Sequence, residues 1–96
     1  MIIARVVGST VSTIKEAKLT GQKLLIVQEA SPDGATSGPA FIAVDTVGSG
    51  EGELVFVAQG SAARHTQYTA DAPVDAAIVG IIDSLEVGGT VTFRKS

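Results

Sequence analysis

Glycine occupies every second position from Gly48 to Gly52, and a dense apolar run, 54–57, follows almost without a spacer. A stretch of small residues that ends at Arg64 comes next. This order predicts a loop, then a buried strand, then one or two helical turns that begin near Ser61, because serine is a preferred helix N-cap. The other segments of the chain are interpreted as partner strands for the middle of this unit.

Several other segments carry the signals of short strands bounded by turn residues. Segment 2–11 is rich in β-branched residues, and Gly8 predicts a bend or bulge within it. Segment 24–27 is apolar at four successive positions, which predicts a strand buried on both faces. Turn residues within 30–39 predict a flexible, exposed loop. The predicted strands are 2–11, 23–29, 41–44, 53–59, 78–82 and 90–94, with breaks at 71–75 and 87–89.

Five or six short strands, glycine-rich turns and one short helix are typical of a small β-barrel. The sequence therefore predicts a mainly β fold: a small five-stranded barrel of the oligonucleotide-binding (OB) type with one short helix. Its 96 residues leave no room for a second core, so we expect a single domain over residues 1–96.

The apolar content is high for so short a chain, since 45% of its residues are hydrophobic. The sequence has no cysteine, so disulfides are excluded as a source of stability. A small barrel has one inner face, whereas three predicted strands are apolar on both faces. We therefore expect an oligomer whose contacts cover the excess, with a tight monomer as the alternative. A monomer would leave several of six apolar residues on its outer surface, although the sequence does not show which of each pair points outward: Leu24, Ile26, Val55, Val57, Ile78 and Ile82.

The sequence predicts neither a signal peptide nor a membrane span. Its first residues lack the long apolar core of a signal peptide, and no apolar run reaches the roughly 20 residues of a membrane helix. We expect a soluble, cytosolic protein that contacts no membrane. A formal charge of −3 and a low aromatic content argue against a general nucleic-acid binder.

A barrel that binds a small ligand or a nucleic acid is the alternative function. Such barrels usually stack bases on exposed aromatic side chains in a positive groove. Phe41, Phe56 and Phe93 fall within apolar strand patterns and are predicted to lie in the core. Tyr68 is then the one aromatic candidate for stacking, which disfavours this alternative.

No catalytic or metal-binding pattern emerges. The glycine-rich loop leads into a strand rather than a helix N-terminus, so its glycines predict a tight turn without room for side chains rather than a phosphate site. His65 is the only histidine, which disfavours a zinc site. Ser61 lies nearby, but no nucleophile elbow or orienting acid accompanies it, so a hydrolase is a distant third hypothesis. No cofactor is predicted.

The charged residues are interpreted as structural. Aspartates near turns are usually turn or cap formers, and scattered lysines usually form a solvated face. An ion pair between Arg64 and Asp45 or Glu53 across a subunit boundary is a further hypothesis. The residues interpreted in this way are Asp71, Asp75, Asp83, Lys15, Lys18 and Lys23, with Asp75 a candidate cap for a short helical turn.

Taken together, ordered segments along nearly the whole chain resemble one family, the EutN/CcmL vertex proteins of bacterial microcompartments. Each segment is weak alone, but their order is specific. The segments are MIIARVVG at 1–8, LTGQKLLIVQ at 19–28, DTVGSGEGELV at 45–55, GSAAR at 60–64 and PVDAAIVGIID at 73–83.

The resemblance implies a structural role and no catalysis. It implies a five-stranded barrel that assembles into a homopentamer, with a hexamer as the alternative ring, and caps the vertices of a polyhedral shell. The implied partners are hexameric and trimeric shell proteins, and the implied location is a microcompartment shell in the bacterial cytoplasm. The interface or axis-loop residues that follow from it are Asp45, Gly48, Gly50, Gly52, Glu53, Ser61 and Arg64.

Overall fold

The computed structural model describes residues 1–66, 69 and 74–96. Short 3₁₀ turns cover Ala17–Leu19 and Gly60–Arg64. None of the helices in the described residues has the length and apolarity to cross a membrane. The strands are β1 (Ile2–Ser9), β2 (Lys23–Ala30), β3 (Thr36–Asp45), β4 (Leu54–Gln59), β5 (Ala76–Ile81), β6 (Ser84–Val87) and β7 (Thr90–Arg94).

Five of these strands close into a barrel in the order β1-β2-β3-β5-β4. Strand β1 pairs with β2 and β4, β2 with β3, and β4 with β5, all antiparallel. A short parallel pairing of β3 with β5 closes the ring of strands. The predicted five-stranded barrel is therefore confirmed.

Alternating side chains of the barrel strands fill its interior. On β1, Ala4 and Val6 point inward and are buried, whereas Val7 is exposed. The predicted irregularity near Gly8 is confirmed, because the pairing of β1 with β2 shifts between Val6 and Gly8. The buried members of this core are Ala4, Val6, Leu25, Val27, Ala43, Val55, Val57, Ala76 and Ile78.

A second, smaller cluster lies between the barrel and a two-stranded hairpin formed by β6 and β7. Leu54 and Ile82 are buried there, with Leu85 and Phe93 of the hairpin packed against them. The predicted last strand thus exists, but its partner β6 was not predicted. The hairpin covers apolar side chains on the outside of the barrel, and its two strands are not part of the barrel.

Fewer of the six candidate outward residues lie at the surface than expected. Val55, Val57, Ile78 and Ile82 are buried, and only Leu24 and Ile26 are partly exposed. The faces of this strand alternate: Val55 and Val57 belong to the barrel core, and Leu54, on the other face, is covered by the hairpin. The side chain that faces outward in this part of β4 is Phe56.

The predicted loop 30–39 is shorter than expected. Strand β3 begins at Thr36, so only residues 31–35 form the turn. Asp33 accepts hydrogen bonds from the Ser31 hydroxyl and the Ala35 amide. These bonds lower the pKa of the Asp33 carboxyl, the Ser31 bond most. The turn is therefore an ordered structure held by its aspartate.

The predicted short helix is a 3₁₀ turn, and Ser61 does not cap it. Gln59 occupies the N-cap position, and its side chain makes no capping hydrogen bond. Asp75 does not begin a helical turn either, because β5 starts at Ala76. The predicted break at 71–75 falls largely outside the described residues, as do Asp71 and Tyr68.

Candidate assembly surface

The glycine-rich loop, residues 46–53, joins the end of β3 to the start of β4 at one end of the barrel. Gly48 and Gly52 have φ of 77° and 91°, a conformation that non-glycine residues rarely adopt. A Cβ atom built on either glycine would meet no heavy atom within 4 Å. The prediction of a crowded turn is thus wrong within one chain: the backbone conformation requires the glycines, and the space beside them is open.

Replacing Gly48 by Ala is expected to lower the free energy of unfolding by about 1–2 kcal/mol, because a Cβ strains a left-handed residue. Gly50→Ala is the matched control. Gly50 has no positive φ, and its Cβ would make only an ordinary 3.6 Å contact with Glu53 Oε1. Urea unfolding gives the free energy of unfolding of both variants. An equal decrease in Gly48→Ala and Gly50→Ala would contradict the conformational explanation.

Polar side chains hold the first half of the loop from inside. Asp45 is only 8% exposed, and its Oδ1 accepts hydrogen bonds from the Val47 amide at 3.2 Å and the Ser49 hydroxyl at 3.0 Å. Ser49 itself is 1% exposed. The Lys23 ammonium on β2 donates to the Ser49 carbonyl at 3.2 Å. Asp45 therefore stabilises the loop by accepting hydrogen bonds within it, and its side chain is buried rather than exposed at the surface.

Glu53 holds the second half of the loop. Its Oε1 accepts the Gly50 amide at 2.7 Å, and its Oε2 lies 2.6 Å from the Lys95 ammonium. The bond from Lys95, followed by that from Gly50, lowers the pKa of the Glu53 carboxyl. The same bond to Glu53 raises the pKa of Lys95. The chain beyond β7 thus contacts the loop through one ion pair.

The Glu53 contacts are expected to weaken in acid. A carboxyl whose pKa is lower in the folded state stabilises that state above its unfolded pKa and loses the effect as pH falls through the folded pKa. In Lys95→Met the Glu53 pKa is expected to move upward toward its ordinary value, as followed by NMR titration of the carboxyl. Lys15→Met, a change at an exposed lysine, is the control. An unchanged Glu53 pKa in Lys95→Met would contradict the assignment.

Arg5 on β1 connects the loop to two other segments. Its Nη1 donates to the Gly52 carbonyl at 2.7 Å, and its Nη2 donates to the Gly34 carbonyl at 3.0 Å. Its guanidinium carbon lies 5.9 Å from the centre of the Phe93 ring, within cation–π range. One side chain therefore links the glycine-rich loop, the β2–β3 turn and the C-terminal hairpin.

The predicted interface residues fall into two groups. The five from Asp45 to Glu53 lie together in and around the loop, as expected. Ser61 and Arg64 lie past the far end of β4, a strand of six residues, and so about 20 Å away. Both are exposed, and the Arg64 Nη1 donates to the Val74 carbonyl at 3.1 Å. Within the described part of the chain, the ion-pair partner of Glu53 is Lys95.

The described residues contain no group of three or more side chains suited to hold a metal ion. His65 and Ser61 are exposed, and His65 ends the second 3₁₀ turn. Phe41 and Phe93 pack against the apolar clusters as predicted, but Phe56 is 38% exposed and was wrongly assigned to the core.

Comparison with known proteins identifies the kind of barrel. A family model described as ethanolamine utilisation protein EutN/carboxysome matches residues 1–83. The chain is 45% identical over 95 residues to the carboxysome shell vertex protein CcmL of Thermosynechococcus vestitus, covering 99% of the chain and 96% of that protein. It is 48% identical over 90 residues to the shell vertex protein PduN of Salmonella typhimurium, covering 88% and 98%.

Solved structures agree with these matches. The CcmL structure from Gloeobacter violaceus superposes with a TM-score of 0.91 at 38% identity, covering 99% of the chain and 98% of that protein. GrpN from Rhodospirillum rubrum, described as a pentameric microcompartment shell protein, superposes with a TM-score of 0.81 at 42% identity, covering 91% and 99%.

These matches, over a shared barrel fold, define a structural β-barrel subunit of a microcompartment shell. The chain belongs to the EutN/CcmL family. The family assignment made from the sequence is confirmed, and with it the shell-vertex role and the location in a microcompartment shell. Members of this family are structural vertex proteins and not enzymes.

Proposed function

We propose that this chain forms a homopentamer that caps the vertices of a closed microcompartment shell. The observation that carries the proposal is its match, over 91% of its length, to a relative described as a pentameric shell protein. A five-fold ring introduces the curvature that flat sheets of hexamers lack. In this proposal residues 1–96 act as one vertex domain.

The glycine-rich loop is proposed to line or approach the five-fold axis. Two observations on the loop support this: Gly48, Glu51 and Gly52 are exposed, and the carboxylates of Asp45 and Glu53 accept hydrogen bonds from backbone amides of the loop. The open space beside Gly48 and Gly52 lets another backbone approach closely. Ser61 and Arg64, at the other end of β4, would then serve a separate part of the subunit contact.

Hexameric and trimeric shell proteins are the proposed partners around this ring. Shells assembled from such proteins with and without this chain test the function by electron microscopy. Closed polyhedra that contain the chain are expected when it is present, and open or elongated assemblies when it is left out. Closed shells that form without the chain, or that exclude it, would contradict the vertex role.

A further inference from the structure

Phe56 is an apolar side chain that the monomer leaves on its outer surface. It is 38% exposed in the middle of β4, although Val55 and Val57 on either side of it are buried. Across the strand pair its ring lies against Gly80, where a Cβ would come within 3.3 Å of Phe56 Cδ2. The absence of a side chain at Gly80 leaves room for the phenyl ring, so Phe56 forms an apolar patch on this side of the barrel.

An apolar groove lies elsewhere on the barrel, between β3 and β5. These strands pair at only two positions, Val44 with Ala77 and Asp45 with Ile78, so they diverge beyond that point. The groove has a volume of about 190 Å³, and Ile42 in its wall is 45% exposed. Its apolar lining comes from Leu19, Leu24, Ile42, Val44, Val74 and Ala76, and Asp75 also lines it.

The two features lie on different parts of the barrel. The groove is lined by residues of β2, β3 and the start of β5, whereas Phe56 lies on β4. A ring is built from head-to-tail contacts between two different surfaces, whereas a two-fold dimer uses one self-complementary surface.

We infer that Phe56 of one subunit inserts into the β3–β5 groove of the next copy of this chain. This inference rests on the proposed pentamer and specifies which surfaces build it. The contact places the aromatic ring against Ile42 and Val44, and it removes the exposed faces of Phe56 and Ile42 from water. Aromatic anchors that fill a pocket commonly dominate the energy of such interfaces.

Because the sequence has no cysteine, thiol cross-linking can test the contact through introduced cysteines alone. Phe56→Cys, Ile42→Cys and the double variant are treated with a short bismaleimide cross-linker and separated by denaturing electrophoresis. The double variant is expected to give a ladder that ends at five chains, because each thiol at 56 faces a thiol at 42 on its neighbour. Each single variant is expected to remain monomeric on the gel. Phe56→Cys combined with Val91→Cys, on the exposed face of the hairpin, is the control.

Native mass spectrometry of the same samples separates the outcomes. A pentamer whose double variant cross-links no more than the control would overturn this inference and leave the proposed pentamer intact. A cross-linked dimer from either single variant would overturn it in favour of a two-fold contact. A wild-type monomer would overturn both. A Phe56→Cys single variant that folds, by circular dichroism, but loses the ring that the wild type forms would support the inference, because only the phenyl ring has been removed.

Discussion

Ile78→Asp is expected to abolish folding of the barrel. Ile78 is fully buried in the main core, at the point where β5 pairs with both β3 and β4. An unpaired carboxylate at that position has no polar partner, and burying it costs more than about 4 kcal/mol. Because small domains have total stabilities of only about 5–15 kcal/mol, little or none would remain.

Circular dichroism and urea unfolding test this expectation. Val91→Asp, on the exposed hairpin surface, is the matched control and is expected to change stability by less than about 0.5 kcal/mol. Ile78→Val tests the packing alone and is expected to cost about 0.5–1.5 kcal/mol. An Ile78→Asp protein that stays folded and only changes its oligomeric state would place Ile78 at a subunit contact and contradict its position in the core.

Arg5→Met is expected to lower the free energy of unfolding by about 2–3 kcal/mol, because hydrogen bonds from a charged donor contribute about 1.5–3 kcal/mol each, less where they are exposed. The variant keeps the length of the side chain but removes the donors to the Gly52 and Gly34 carbonyls. It also removes the contact with the Phe93 ring.

Arg5→Lys is expected to recover little of this loss, since one ammonium does not reproduce a planar fork that reaches two carbonyls. Urea unfolding gives the magnitude, with Arg94→Met at an exposed arginine as the control. Hydrogen exchange gives the location: the Gly34 amide, which donates to the Ser31 carbonyl, is expected to lose protection in Arg5→Met. Equal losses in the Arg5 and Arg94 variants would contradict the bridging role.

The strands and the loop were predictable because their signals are local. β-Branched runs, glycine turns and the Gly8 irregularity all depend on residues within a few positions of each other. Strand β6 was missed because Asp83 alone separates Ile82 from Ser84, so no turn signal marks the change from barrel to hairpin.

Which side chains of β4 are buried and which are exposed was not predictable from the sequence. Val55 and Val57 fill the barrel, and of the two residues on the other face the hairpin covers Leu54 and leaves Phe56 exposed. This cover depends on residues distant in sequence. The same holds for the loop, whose bonds to Arg5 and Lys95 cross 47 and 42 residues.

The central claim is a ring of five copies of this chain. Native mass spectrometry of the purified protein at neutral pH tests it most directly. Five chains of 9.7 kDa give a mass of about 48.5 kDa, and six give about 58 kDa. A dominant species at about 48.5 kDa is the predicted result. A stable monomer of 9.7 kDa, at concentrations where the shell would assemble, would contradict it.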